Sequence, residues 1–182
     1  GACSTVCDRG GHTFDGERVH ILDRADCIAC GACAGICPTK AVEMAGREES
    51  VESILKEVLS DKIFYEQSGG GMTVSGGEPL YQPKAVTALC KAAKEAGLHV
   101  AMETCGFASA SVVREIAPWV DLFLFDYKAT AETHEKLTGV PQKPILDTLA
   151  LLAELGKDVI LRCPIIPGVN DTEEAAKILL KK

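Results

Sequence analysis

Two groups of residues in this chain have the types and spacing for chemistry. The first is cysteine. Cys27, Cys30, Cys33 and Cys37 follow the spacing C-x2-C-x2-C-x3-C-P. Three thiolates that close together wrap one [4Fe–4S] cubane, while the fourth lies beyond reach of that cube and serves a second one. Gly31 and Gly35 let backbone amides turn toward the sulfurs. Zinc is the alternative occupant, but the x2-x2-x3-Pro run is not a usual zinc spacing. The second group is ionisable. Glu78, Glu103, Asp126, Lys128 and Arg162 each come directly after a short apolar run. Such residues form a site only if those runs are strands that end along one edge.

The cysteine segment contains a repeat. Gly1-Ala2-Cys3-Ser4-Thr5-Val6-Cys7 matches Gly31-Ala32-Cys33-Ala34-Gly35-Ile36-Cys37, with Asp8 in the place of Pro38. By the crossed ligand pattern of two-cluster runs, Cys7 completes the cluster of Cys27, Cys30 and Cys33. Cys37 joins Cys3 on a cluster whose other two ligands would lie before residue 1. Residues 13–21 between the copies read as a hairpin turning near Asp15-Gly16. His12 and His20 are expected to be solvated, because the thiolates suffice as ligands.

The ionisable set needs elements to hold it. Ser50 is placed to cap a helix with Val51, Ile54, Leu55, Val58 and Leu59 on one face. After Gly69-Gly70-Gly71 a strand runs from Met72 to Ser75 and stops at Gly76-Gly77-Glu78-Pro79. Strand and helix then alternate. Helices are expected around residues 86–93, 111–117 and 145–155, and strands at 98–102, 122–125 and 159–161. A last helix is expected over 173–180. Leu122-Phe123-Leu124-Phe125 is apolar on both faces, as a buried parallel strand is. The pattern predicts a parallel α/β fold with right-handed crossovers. In that fold class the carboxyl ends of the strands form the active face. The expected division is a ferredoxin-like [4Fe–4S] segment over 1–46, with its first repeat cut short, and a parallel α/β unit over 47–182, which the resemblance described below makes a partial barrel.

Composition bounds the reading. In 182 residues, 47% hydrophobic and 25% charged content describes a packed chain. A net charge of −7 disfavours nucleic acid, which wants a basic patch. No apolar run would span a bilayer and no signal peptide is evident. Nine cysteines in a chain with this much core pattern point to a reducing cytosol and metal ligation, not to a disulfide scaffold. The chain begins at Gly1, so a fragment or processed product is expected.

Taken together, five stretches resemble the glycyl-radical-enzyme activating enzymes of the radical S-adenosylmethionine (SAM) superfamily. They are residues 69–80 (GGGMTVSGGEPL), Glu103-Thr104-Cys105-Gly106-Phe107, Asp126-Tyr127-Lys128, His134 with Leu137-Thr138-Gly139-Val140, and Arg162-Cys163-Pro164-Ile165-Ile166-Pro167-Gly168. Members with a two-cluster ferredoxin insert look most similar; the pyruvate formate-lyase activator is similar in the barrel without it. The resemblance implies a partial (β/α)6 barrel of TIM-like kind. It implies that Gly76, Gly77 and Glu78 hold the methionine amino group of SAM, with Ser75 also in the cofactor-binding set. Glu103, Thr104, Asp126, Lys128 and Arg162 complete the cofactor-binding set. A monovalent cation would sit on Glu103, Thr104 and Asp126, with Glu103 in the place of the family's Asp. The implied metal ligands are Cys3, Cys7, Cys27, Cys30, Cys33 and Cys37. The implied activity is reductive SAM cleavage that makes a glycyl radical on a partner glycyl radical enzyme. Flavodoxin or ferredoxin would be the reductant, under anaerobic, cytoplasmic conditions.

One departure bears on competence. The family binds its radical cluster with a C-x3-C-x2-C loop. Cys3 and Cys7 have the first gap, but Gly10 stands in the third place. The chain is therefore expected to be a fragment that does not cleave SAM alone, and no catalytic side chain is assigned. The rivals are a ferredoxin-type electron-transfer module on a non-radical barrel, a radical SAM enzyme acting on a small molecule or peptide, and a structural fragment with empty cysteines. Cys90 reads as a core residue; Cys105 and Cys163 read as small buried residues. His99 and Trp119 read as structural, and His134 as solvated.

Overall fold

A computed structural model describes residues 1–16, 19–173 and 177. The chain divides into two compact units, Gly1–Glu49 and Ser50–Lys182.

The first unit holds α1 (Ala2–Thr5), β1 (His12–Phe14), β2 (His20–Leu22) and α2 (Ala32–Ile36). The two helices are the two copies of the repeat, and they pack on each other. The strands pair antiparallel, with His12 opposite Leu22 and Phe14 opposite His20. At the hairpin end Val19 N–H donates to the Asp15 carboxylate at 2.7 Å. Glu17 and Arg18 lie outside the described residues.

The second unit begins with α3 (Val51–Leu59), whose first turn is capped by Ser50 Oγ accepting from Ser53 N–H at 3.1 Å. A helix the sequence did not suggest follows, α4 (Lys62–Ser68), with Ile63 and Phe64 exposed. Then come β3 (Gly71–Val74), a 3-10 turn (Pro79–Tyr81), α5 (Pro83–Glu95), β4 (His99–Thr104) and α6 (Ala110–Ile116). After a second 3-10 turn the chain forms β5 (Leu122–Asp126), α7 (Ala131–Thr138), α8 (Lys143–Glu154) and β6 (Asp158–Arg162). The helix expected over 173–180 lies largely outside the described residues.

The four strands of this unit form one parallel sheet in the order β3-β4-β5-β6. This is the parallel α/β arrangement that the sequence pattern predicts. Sequential order follows when each helix returns the chain to the strand next door. Apolar residues face both sides of β4, and Val100 and Met102 are fully buried. The core continues through Phe123, Phe125, Val113 and Ile116. On α8, Ile145, Thr148, Leu151 and Leu152 supply its buried stripe. At the amino end of the sheet, Asp121 binds Lys94 Nζ at 2.7 Å and Val100 N–H at 2.8 Å. These bonds lock α5 to β4 at the edge remote from the ionisable set.

Candidate functional site

Register decides which strand-end residues meet. Thr73 pairs with Ala101, Glu103 with Leu124, and Asp126 with Arg162. Side chains alternate along a strand and paired residues point to the same face. Glu103, Asp126 and Arg162 therefore share one face, and Ser75 continues that face past β3. Thr104 pairs with Phe125 on the opposite face.

The side chains follow this parity. Arg162 Nη1 donates to Glu103 Oε1 at 2.5 Å, and its Nε and Nη2 donate to Asp126 Oδ1 at 3.0 and 2.8 Å. Ser75 Oγ donates to Glu103 Oε2 at 2.5 Å, and Lys128 Nζ to Asp126 Oδ2 at 3.1 Å. Ser75, Glu103, Arg162, Asp126 and Lys128 thus form one chain of contacts across three strands. The Ser75 hydroxyl and then the Arg162 guanidinium hold Glu103 below the usual carboxylate range. For Asp126 partial burial acts upward, but hydrogen bonds from Arg162 and Lys128 outweigh it and its pKa is lowered. Asp126 and Glu103 in turn raise Arg162.

Glu78 and Thr104 do something else. Glu78 Oε1 accepts from Leu80 N–H at 3.1 Å and from Thr104 Oγ1 at 2.7 Å, and Oε2 accepts from Cys105 N–H at 2.9 Å. Its carboxylate braces the loop after β3 against the end of β4. Thr104 is buried and its hydroxyl also accepts from Gly106 N–H at 2.9 Å. The side-chain oxygens of Glu103, Thr104 and Asp126 are therefore not gathered on one point. Arg162 bridges the two carboxylates that the resemblance assigns to a cation, and Thr104 lies on the opposite face. Between these elements the backbone of Gly76 and Gly77 is exposed, and Gly76 has φ +113°. A Cβ at either glycine would meet nothing within 4 Å. A ligand can lie directly against this backbone.

Sequence reading missed Asn170. It is buried, and its Nδ2 donates to Lys128 O at 3.1 Å and to Pro164 O at 2.8 Å. Ile166 N–H donates to its Oδ1 at 2.6 Å. Asn170 thereby ties the loop after β6 to the loop that carries Lys128, and no local pattern marks it. His134 corrects the expectation of a solvated ring. It is buried without a hydrogen-bond partner on either nitrogen among the described residues, and burial, then nearby Lys128, lowers its pKa. Cys90 is fully buried, as a core residue, and burial pushes its thiol up to about 11. Cys105 and Cys163 are half-buried, with pKa values raised chiefly by burial.

In the first unit, one cavity of about 410 Å³ is lined by Cys7, Cys27, Cys30 and Cys33. Gly11 N–H donates to Cys7 Sγ and Ala29 N–H to Cys27 Sγ, both at 3.4 Å. Four thiols lining one cavity, two of them receiving backbone N–H groups, are the donor type a cubane needs. Cys3 and Cys37 do not line this cavity. Cys37 Sγ lies 3.7 Å from Thr39 Oγ1, and hydrogen bonds from the Val42 backbone and from Thr39 lower its pKa. Cys3 instead lies beside His20 and His12. His12 is buried and His20 half-buried, not solvated, because the hairpin stacks their rings.

Comparison with known proteins covers both units of the chain. Residues 26–179 match the family described as Radical SAM superfamily. The chain is 40% identical over 184 residues to the choline trimethylamine-lyase activating enzyme of Oleidesulfovibrio alaskensis, covering 100% of this chain and 59% of that protein. It is 38% identical over 185 residues to the isethionate sulfite-lyase activating enzyme of Desulfovibrio desulfuricans, again covering 100% and 59%. A solved domain of pyruvate-formate lyase-activating enzyme from Bacteroides vulgatus superposes with TM-score 0.57 at 32% identity, covering 62% of this chain and 70% of that one. The chain thus spans about 59% of the length of these curated relatives. Enzymes of this kind use a [4Fe–4S] cluster and SAM. The chain belongs to the radical SAM superfamily, and its relatives there are activating enzymes of glycyl radical enzymes.

Proposed function

We propose that this chain is the greater part of an activating enzyme that installs a glycyl radical on a partner glycyl radical enzyme. The observation that carries the reading is the strand-end chain from Ser75 through Glu103, Arg162 and Asp126 to Lys128, beside an open glycine backbone. When bound, a reduced [4Fe–4S] cluster and SAM would supply the radical chemistry that removes a hydrogen atom from a glycine Cα of the partner. The residues of this chain bind and orient. The exposed Ser75-Gly76-Gly77 backbone accepts the methionine ammonium group. Arg162 and Lys128 offer cations to its carboxylate, and Glu103 and Asp126 keep both cations aimed until it arrives. Glu78 and Thr104 act on the cofactor indirectly, by bracing the glycine loop. Neither a side-chain acid nor a base is needed, so no catalytic side chain is assigned.

Cys7, Cys27, Cys30 and Cys33 are proposed to hold an accessory cubane that stores an electron for the reaction. Flavodoxin or ferredoxin is the proposed reductant, and the cytoplasm the proposed compartment. Among the described residues no helix is long and apolar enough to cross a membrane. The relatives' names cite different lyases, so the class of partner is proposed and not its identity. The test is anaerobic reconstitution of the complete gene product with iron, sulfide, SAM and a strong reductant. Expected are 5′-deoxyadenosine and the electron paramagnetic resonance signal of a glycyl radical on a co-purified partner. No deoxyadenosine under these conditions would refute the activase reading.

A further inference from the structure

Lys128 stands in a loop, yet the backbone around it is held from three elements. The stretch 127–130 leaves β5 and enters α7. Tyr127 N–H donates to Arg162 O at 2.9 Å, which carries the pairing of β5 and β6 one residue past Asp126. Lys128 O accepts from Asn170 Nδ2 at 3.1 Å, and Ala129 O accepts from Gln142 Nε2 at 2.5 Å. Two side-chain amides thus reach adjacent carbonyls from different places, Asn170 from the loop after β6 and Gln142 from the start of α8. Each is 6% exposed, and Tyr127 and Ala129 are 2% and 3% exposed. Between these buried neighbours Lys128 sends its side chain outward to Asp126, 38% exposed. The second N–H of Asn170 donates to Pro164 O at 2.8 Å, and its Oδ1 accepts from Ile166 N–H at 2.6 Å. Both donors of this amide are therefore used, and exchanging its oxygen and nitrogen would break all three bonds.

We propose that Asn170 and Gln142 are positioning residues that fix the root of Lys128 and so set the affinity for the methionine carboxylate of SAM. The inference rests on the activating-enzyme reading of the site. Asn and Gln are mostly surface residues, and burying an amide is unfavourable unless its polar atoms are bonded. Here two buried amides are concentrated on consecutive carbonyls of one short loop. A lysine ammonium rides on a flexible four-carbon stem, so its aim is only as well defined as the backbone it starts from. Loops place functional groups less precisely than strands unless supporting hydrogen bonds fix them. The two amides give Lys128 the fixed root that Arg162 has from its strand. Asn170 has no donor left for a ligand, so it acts only through the backbone. By binding Lys128 O and Pro164 O together, it also joins the loops that follow the paired residues Asp126 and Arg162.

The test uses the complete gene product with its clusters in place, titrated anaerobically with SAM in a calorimeter. Asn170→Asp keeps the side-chain size and the bond from Ile166 N–H but loses both donors. Gln142→Met keeps the length and loses its donor. Each is expected to weaken SAM binding by about tenfold, the scale on which supporting partners of a ligand-binding group act. In turnover the KM for SAM rises by the same factor, while kcat, read as 5′-deoxyadenosine at saturating SAM, is unchanged. In a Lys128→Met background the same substitutions change affinity by less than about twofold, because the group they place is gone. Asp121→Asn, at the remote edge of the sheet, lowers stability and leaves SAM affinity unchanged, so a loss of folding free energy alone does not mimic the result. Unchanged SAM affinity in both amide variants, or losses that add in full to that of Lys128→Met, would overturn the proposal. Failure of the unsubstituted protein to bind SAM would instead refute the activating-enzyme reading, and this inference with it.

Discussion

Gly106 follows the residues that hold Glu78, and it sits against the ring of Phe125. A Cβ at this position would lie 2.5 Å from Phe125 Cε2 and closer still to Cζ, with the backbone at φ +74°. Phe125 is fully buried and immediately precedes Asp126, so the ring cannot swing away without moving the site. Gly106→Ala therefore carries two penalties. The left-handed backbone costs about 1–2 kcal/mol for a residue with a Cβ. Overpacking the core costs about 1–3 kcal/mol, for a total of roughly 2–5 kcal/mol. Gly139→Ala separates the two, since Gly139 has φ +75° but open space around its Cβ position. That variant should lose only the backbone part. Urea unfolding followed by circular dichroism measures both, and Phe125→Leu provides the coupling test. In a Phe125→Leu background, Gly106→Ala should cost visibly less than in the wild type. Equal losses for the two glycine variants, or no coupling to Phe125, would refute the close-packing argument.

Asp121 has a lowered pKa because Lys94 and Val100 N–H outweigh the upward push of burial. A group lowered on folding stabilises above its unfolded pKa, about 3.9, and loses that contribution as pH falls through the folded value. The stability gap between wild type and Asp121→Asn should thus be present at pH 7 and shrink as pH drops below about 4 in pH-dependent urea melts. Cys90 combines full burial with a pKa of about 11. It should be the last of the second unit's cysteines to react with iodoacetamide at pH 8, by peptide mass mapping, and should become reactive on unfolding. Ser50→Ala removes the cap of α3 and should cost about 1 kcal/mol in the same unfolding assay.

Much of the fold was legible because it depends on local pattern. The apolar runs ended in charged residues, and glycines closed the helices, so the parallel α/β order followed directly. The repeat alone also groups Cys7 with Cys27, Cys30 and Cys33, which line one cavity. The site's wiring could not. A stretch reading Glu103-Thr104 offers two adjacent oxygen donors, yet strand parity sends them to opposite faces. Only the register shows that Glu103 meets Arg162 while Thr104 meets Glu78. Likewise His134 sits in a polar helix sequence, and tertiary packing buries it regardless. His12 and His20 lie eight residues apart around a turn, so their stacking needs the hairpin register, which composition does not encode. Helix α4 was missed because its apolar residues Ile63 and Phe64 stay exposed, leaving no stripe to detect.

The contact chain through Glu103, Arg162, Asp126 and Lys128 holds two negative and two positive groups. Its formal charges cancel, so it projects little field into solvent. An amino-acid-like zwitterion is also neutral overall. Admitting one exchanges internal ion pairs for external ones without changing the count of charges. Under the proposed function, capture of the amino-acid end at this edge is governed by short-range fit and not by long-range steering, and it should respond weakly to ionic strength.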